Sequence, residues 1–202
     1  AIFPLLSAVF VTRGIFLETG TKERIMNFKF AFEISPMARP RMIQFLAMDF
    51  CEDKEKREKL SLNFFAEGEF FIEELKKNVK ENPLDFISLF YLGKTYNSLA
   101  QFNGFSAKEG EKVFKELILK FPNDLRGYWG LIENLIIQKR FGEAERIARI
   151  AISIEPRVKE SHEALIEVLY KSGQKEKLEK AIQEALRINS QWKEFLDKTK
   201  YD

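Results

Sequence analysis

One stretch, from Leu125 to Val158, has a spacing of residue types that limits how the chain can fold. Its first half repeats apolar side chains three and four residues apart, which is the period of a helix with one buried face. Its second half places small alanines at similar intervals and ends at a proline, which cannot continue a helix. The pattern predicts two helices that pack face to face. The positions are Tyr128, Leu131, Ile132, Leu135, Ala144, Ala148, Ala151 and Pro156.

This spacing resembles that of the tetratricopeptide repeat (TPR), a helix–turn–helix unit of about 34 residues. The resemblance implies an all-α fold, a TPR solenoid in which about five helix pairs stack into a right-handed superhelix. We therefore expect a single TPR domain over residues 1–202, closed by a C-terminal capping helix at 191–200. The predicted repeats are about 5–38, 39–85, 86–124, 125–158 and 159–190.

The second and third predicted repeats are longer than the reference repeat. The second contains an insertion with the charged run Glu52–Lys59, and its second helix is predicted over Glu69–Lys80, with a break near Gly68 if it begins earlier. The third has an enlarged turn around residues 101–105. The register predicts these core positions: Ala8, Val11, Thr12, Ile15, Phe28 and Ala31; Met42, Phe45, Leu46, Asp49, Phe71 and Leu75; Leu89, Leu92, Gly93, Tyr96, Gly110, Phe114 and Leu117; His162, Leu165, Ile166, Leu169, Leu178, Ile182 and Ala185.

The segment 26–34 also fits an alternative. Its apolar residues Met26, Phe28, Phe30, Phe32 and Ile34 alternate with other residues, as in a half-buried strand. A β-hairpin across Gly20 is then possible. The spacing of Phe28, Ala31 and Pro36, together with helical patterns elsewhere, favours a helix.

Composition argues against several function classes. The chain has 33 Lys and Arg against 31 Asp and Glu, so its net charge of +2 gives no global field for nucleic acid. A lone Cys51 and a lone His162 leave no cluster of metal ligands, and we expect no metal and no cofactor. The single cysteine also forms no intramolecular disulfide.

No arrangement of residues predicts catalysis. His162 occupies an apolar core position of its repeat, which favours a packed, hydrogen-bonded histidine over a general base. The acidic neighbours of Cys51, Glu52 and Asp53, would disfavour a reactive thiolate. The sequence contains no phosphate-binding glycine loop, nucleotide fingerprint or nucleophile elbow. We therefore expect no enzyme activity within these residues.

A second stripe of the first helix of each repeat, which lines the concave groove in TPR proteins, is the candidate binding surface. It is rich in aromatic residues, which commonly anchor a peptide or helix of a partner protein. The sequence leaves open whether the groove is covered by the 51–70 insertion or by a neighbouring chain. The stripe comprises Val9, Arg13 and Phe16, Ile43, Ala47 and Phe50, and Glu163, together with the candidate partner-binding residues Phe90, Lys94, Asn97, Trp129, Glu133, Ile136, Glu167 and Tyr170.

These residues also bear on one class of partner. The TPR proteins that hold chaperone C-termini use a Lys/Asn pair on the groove stripe of one repeat, and no repeat here has that pair. We therefore do not expect a chaperone adaptor of this kind.

The N-terminal half shows a second, narrower resemblance. It is similar to the soluble C-terminal TPR domain of bacterial O-antigen ligase/polymerase family membrane proteins, over residues 4–123. The matching segments are 4–6, 13–16, 21–25 with Phe28 and Ala31, Arg39 and Arg41, 82–86, 91–93 and 121–123. The resemblance implies a polytopic membrane segment upstream and a membrane-attached soluble domain here; a free-standing chain would instead be cytoplasmic.

The apolar segment 1–17 is too short to span a bilayer and lacks the cationic start of a signal peptide, so a buried amphipathic helix is predicted. Self-association through this helix, giving a homo-oligomer, is a further hypothesis.

Overall fold

The computed structural model describes residues 2–15, 17, 21–52, 62–100 and 104–193, which form ten α-helices and no strand. A 3-10 turn, Ser190–Trp192, follows the last helix. The helices are α1 (Ile2–Ile15), α2 (Lys22–Ile34), α3 (Arg39–Glu52), α4 (Leu62–Glu81), α5 (Phe86–Leu99), α6 (Gly104–Lys120), α7 (Leu125–Ile137), α8 (Phe141–Ile154), α9 (Lys159–Lys171) and α10 (Lys175–Ile188).

Contacts divide the chain into two compact units, Ala1–Val113 and Phe114–Asp202. In the first unit α1 packs on α2, α3 on α4, and both α3 and α4 on α5. In the second unit α7 packs on α8, both pack on α9, and α9 packs on α10. Within each unit, successive helices thus cover one another's apolar sides, which is the arrangement of stacked helical repeats. The predicted all-α fold of helix pairs is confirmed.

The predicted core register is correct in the third and fourth repeats and on the first helix of the fifth. On α10, Leu178 and Ile182 were also predicted as core but are half-buried, whereas Ala181 and Ala185 are buried. The alanines of α8 allow close approach, since Ala144, Ala148 and Ala151 are completely buried. Residues 101–103 of the enlarged turn and residues 194–200 of the predicted capping helix lie outside the described residues. The buried members of the predicted core are Leu89, Leu92, Gly93, Tyr96, Gly110, Phe114, Leu117, Tyr128, Leu131, Ile132, Leu135, His162, Leu165, Ile166, Leu169 and Ala185.

The predicted register is wrong by one residue on α1 and α3, the first helices of repeats one and two. The buried stripe lies one residue earlier than predicted on α1 and one residue later on α3. On α1, Ala8 and Thr12 are exposed, and Gly14 is buried. On α3, Phe45 is 51% exposed, whereas Ile43, Leu46, Ala47 and Phe50 are buried. A shift of one residue turns a helix by about 100°.

The reason for the shift in α3 lies in the helix that follows. Apolar residues occupy both candidate stripes of α3, so periodicity alone does not choose between them. The Phe50 ring stacks on Phe64 of α4 at 4.3 Å between centroids and meets Phe71 edge-on at 5.3 Å. Phe64 belongs to the part of α4 that lies before the predicted helix start, and this extension selects the stripe with Phe50.

Helix α4 runs from Leu62 to Glu81 without the break predicted near Gly68. Gly68 instead allows close packing, since a Cβ there would lie 2.7 Å from Leu99 Cδ2. The charged run predicted over Glu52–Lys59 lies outside the described residues, apart from Glu52 at the end of α3.

Residues 26–34, for which a strand was the alternative, belong to α2. Thr21 caps this helix, because its Oγ1 accepts a hydrogen bond from the Arg24 amide at 3.3 Å. Phe28 and Ala31 are completely buried, as the helical spacing predicts.

A buried arginine joins four helical segments of the first unit. The Arg24 side chain, on α2, is 2% exposed, and its Nε donates to Glu67 Oε1 on α4 at 2.8 Å. Its Nη1 donates to the carbonyl oxygens of Gly14 and Leu17, at the end of α1, at 3.0 and 3.1 Å. Its Nη2 lies 3.7 Å from Asp49 Oδ2 on α3. The guanidinium therefore fixes α1, α3 and α4 around α2.

Replacement of Glu67 by alanine tests this network. The variant leaves the buried Arg24 guanidinium without its closest counter-charge, so we expect a loss of about 3–5 kcal/mol in the free energy of unfolding. Urea unfolding followed by circular dichroism measures it. Glu69→Ala, at an exposed position of the same helix, is the matched control, with an expected effect within about 0.5 kcal/mol. Equal effects of the two substitutions would contradict the network's role.

The turns after α7 and α9 have the same backbone structure, at equivalent positions of two successive repeats. In the first, the amides of Lys139 and Arg140 donate to the carbonyls of Ile136 and Leu135; in the second, Gly173 and Gln174 donate to Tyr170 and Leu169. This is the Schellman arrangement, which places one residue at positive φ. That residue is Gly173 (φ +72°) in one turn and Lys139 (φ +58°) in the other.

Lys139→Gly is expected to stabilise the chain by about 0.5–1 kcal/mol, because glycine adopts positive φ without a Cβ penalty. The reverse change, Gly173→Lys, is expected to destabilise it by a similar amount. Thermal unfolding of the two variants beside the parent chain measures both effects. A lower melting temperature for Lys139→Gly would show that the lysine side chain contributes more than the backbone strain costs.

Candidate interaction surface

Helix α7 leaves one narrow stripe accessible. Its other residues are buried. Successive members of the stripe lie on one side of the helix, because most are separated by three or four positions. The stripe comprises Arg126, Trp129, Glu133, Ile136 and Ile137.

Helix α9 leaves the equivalent stripe accessible, one repeat further along the chain. Tyr170 is 40% exposed, and Glu167 is exposed beside it. Glu163 and Glu167 form ion pairs with Lys159 and Lys171 of the same helix, at 3.1 and 2.9 Å. The correspondence between the two stripes follows from the 34-residue repeat. In order along the chain, Arg126, Trp129, Glu133 and Ile136 of α7 are matched on α9 by Glu160, Glu163, Glu167 and Tyr170. We call the accessible stripes of α7 and α9 the interaction surface.

Trp129 connects the two helices of this surface. Its Nε1 donates to Ser161 Oγ of α9 at 3.1 Å, and Ser161 is completely buried. The half-buried indole also packs against the cluster of Leu125, Tyr128 and Ala151. Trp129 therefore contributes to the packing of the second unit as well as to its accessible surface.

The three predicted residues on α5 belong to the first unit. Phe90 and Lys94 are half-buried, whereas Asn97 is only 2% exposed and so is not available to a partner. The Phe90 ring stacks on Phe86 at 6.0 Å and meets Tyr91 edge-on at 5.2 Å. The structure thus divides the predicted binding residues between two units, three in the first and five in the second.

The stripe predicted on the first two repeats differs from expectation. Ile43, Ala47 and Phe50 were expected to line the groove, but they are core residues, because the register of α3 is shifted. Val9 and Arg13 are exposed on α1, and Phe16 lies outside the described residues.

Two carboxylates of the second unit have pKa values shifted by neighbouring cations. Hydrogen bonds from the Arg126 side chain lower the pKa of Asp124, which also caps α7 by accepting from the Arg126 amide. Burial alone would raise the pKa of Glu145, but hydrogen bonds from Arg149 and Lys177 outweigh it, and the pKa is lowered. Glu145 thereby joins α8 to α10.

The residues considered for chemistry have structural roles. His162 is buried, and its Nε2 donates to the Pro156 carbonyl at 2.9 Å, as the Tyr128 hydroxyl does to the Pro122 carbonyl at 2.9 Å. The interpretation of His162 as a hydrogen-bonded core residue is confirmed. Cys51 is buried with its Sγ 3.6 Å from Thr95 Oγ1. Among the described residues, no group of three or more His, Cys, Asp or Glu could hold a metal ion.

None of the helices that the structure describes is both long and apolar enough to cross a membrane.

Comparison with solved structures identifies the fold. The chain is similar to TTC0263, a thermophilic TPR protein of Thermus thermophilus, with a TM-score of 0.59 and 16% identity over 94% of this chain and 91% of that one. The chain has the TPR fold. It is also similar to the MamA protein, with a TM-score of 0.60 and 15% identity over 96% of this chain and 93% of that one. No protein-family model and no curated protein matches the sequence.

Sequence reasoning missed the Asp residues that begin two of the first helices of the TPR repeats. Asp85 Oδ1 accepts from the amides of Ile87 and Ser88, and Asp124 Oδ1 accepts from that of Arg126. Both follow a proline by two residues, and Pro-x-Asp before an apolar helix is a readable N-cap signal.

Proposed function

We propose that this chain is a non-catalytic protein–protein interaction scaffold that binds a segment of a partner protein on the interaction surface of α7 and α9. TPR proteins are generally scaffolds of this kind. The observation that carries the proposal is that both helices leave equivalent stripes accessible, and that these stripes hold apolar side chains at Trp129, Ile136 and Tyr170. Phe90 and Lys94 of α5 form a second candidate surface in the first unit.

The physical argument rests on what such side chains contribute at an interface. A large apolar side chain on a rigid helix loses little conformational entropy when a partner covers it, and burial is favourable by about 25 cal/mol per Å². Tyr and Trp are frequent among the residues that dominate binding energy. The α7 and α9 helices are fixed by the Trp129–Ser161 hydrogen bond and by the buried core, so the surface is formed before a partner arrives.

Peptide display tests the proposal. A library of random peptides is selected on the immobilised chain, and the affinities of enriched peptides are measured for the parent chain and the double variant Ile136→Ala/Tyr170→Ala. We expect the double variant to bind at least about tenfold more weakly, since two apolar anchors are removed. Trp129 is left in place because its indole also packs in the core.

Leu119→Ala is the matched control, because Leu119 is an 82% exposed apolar residue of α6 in the same unit. Thermal melts of all variants establish that they are folded. Equal binding to the parent, the double variant and the control would exclude the interaction surface.

We propose as a second candidate that the chain is the soluble regulatory or assembly tail of an O-antigen ligase/polymerase-type membrane protein. The resemblance of residues 4–123 supports it, and so do the exposed apolar side chains of Leu6 and Val9 on α1. The intact mass and N-terminal sequence of the natural full-length product test this candidate. Several apolar membrane-spanning segments upstream are expected, and a product without them would exclude it.

A further inference from the structure

Helix α10 has an apolar edge that the described part of the chain leaves only partly covered. Leu178, Ile182 and Leu186 recur every four residues along it, and all three are half-buried. In the preceding repeat α8 packs both on its own partner α7 and on α9, the first helix of the next repeat. Among the described residues, α10 packs mainly on α9 and on the 3-10 turn that follows it. It therefore lacks there the contact that α9 provides to α8.

The partly covered edge of α10 points away from α8. The opposite edge, with Glu184 and Ile188, lines a cavity of about 290 Å³ together with residues of α8 such as Ile152. Ile182 and Leu186 precede those two residues of α10 by two positions each, and two positions turn a helix by about 200°. Ile182 and Leu186 therefore lie on the side where the next repeat of a stacked array packs.

The chain after α10 turns back towards the fifth repeat. Asn189 Oδ1 accepts a hydrogen bond from the Gln191 amide at 2.9 Å. The ring of the half-buried Trp192 lies 5.4 Å, between centroids, from the His162 ring in the first turn of α9. Lys193 has helical backbone angles, with φ −54° and ψ −50°. A helix that continues from Lys193 thus starts beside the first turn of α9.

Residues 193–200, which we call the C-terminal segment, have the sequence pattern of an amphipathic helix that continues from this turn. The repeat register agrees with the pattern, because Leu196 lies 34 residues after His162, a buried core position of α9. The apolar stripe of this helix comprises Trp192, Phe195, Leu196 and Thr199.

We infer that the C-terminal segment is a helix that packs Phe195 and Leu196 on the partly covered edge of α10, in the place of the first helix of a further repeat. The lengths agree, because eight residues of helix, in the segment and from Leu178 to Leu186, extend about 12 Å. The segment is joined to this edge by its own chain, which gives it an effective concentration that a second copy or another protein has to exceed. The inference does not depend on the proposed interaction surface.

Hydrogen exchange of the full chain tests the inference. A free helix of eight residues is marginal in water, so slow exchange of its amides requires packing. We expect the amides of residues 197–200 to exchange at least about tenfold more slowly than in an unstructured peptide. Leu196→Asp is expected to remove this protection, because it places a charge in the contact with α10. Lys198→Asp puts the same side chain on the opposite face of the segment and is the matched control, which should retain the protection.

The exchange of α9 and α10 in the same experiment shows whether each variant is folded. If Leu196→Asp unfolds these helices, the milder variant Leu196→Ala takes its place, with an expected loss of protection of at least about threefold. Exchange of residues 197–200 at the unstructured rate in the parent chain would overturn the inference, and so would equal protection in the Leu196 variant and the control. Protection that falls on about tenfold dilution would show that a second copy covers α10, and would also overturn it.

Discussion

The first unit depends on one buried charge. The Arg24 guanidinium forms hydrogen bonds with Glu67 and with the carbonyl oxygens of Gly14 and Leu17, and lies near Asp49. Burying a charge costs free energy unless hydrogen bonds and a counter-charge are correctly placed around it. Few arrangements of α1, α3 and α4 around α2 meet this requirement. The Arg24 network therefore determines how α1, α3 and α4 pack around α2, whereas apolar contacts alone would allow several arrangements. The second unit has instead alanine-lined helix contacts at Ala144, Ala148 and Ala151.

The spacing of apolar residues explains which parts of the fold could be predicted from the sequence and which could not. The repeat pattern predicted the helix pairs and most of the core of the last three repeats, because residues such as Leu131 and Leu165 fall on the spacing of the TPR pattern. It was wrong for α3, where Ile43 and Phe45 are both apolar and only the stacking of Phe50 on Phe64 selects the register. A contact between residues far apart in the sequence produces no periodic pattern. The sequence therefore predicts neither the Phe50–Phe64 contact nor the Arg24–Glu67 pair.

The candidate surface was predictable to a similar degree. The repeat register placed Glu133, Ile136, Glu167 and Tyr170 on one stripe each of α7 and α9, and these residues are accessible. It did not predict that Asn97 is buried, or that Trp129 donates to Ser161 of the adjacent helix. Position on a helix follows from spacing, whereas the fraction of a side chain that neighbours cover depends on the packing of the next repeat.

The hydrogen bonds from Tyr128 and His162 to proline carbonyls have a consequence for how repeats of this kind can be exchanged. Each side chain satisfies the carbonyl of the proline that precedes its helix, and the two bonds occupy the same position of successive repeats. A phenol and an imidazole thus satisfy the same carbonyl position, so this point of the repeat requires a hydrogen-bond donor of suitable reach and not one residue type. The rest of the junction is less tolerant, because a Cβ at Gly130 would overlap the ring of Phe114, and the equivalent position of the next repeat holds Ala164.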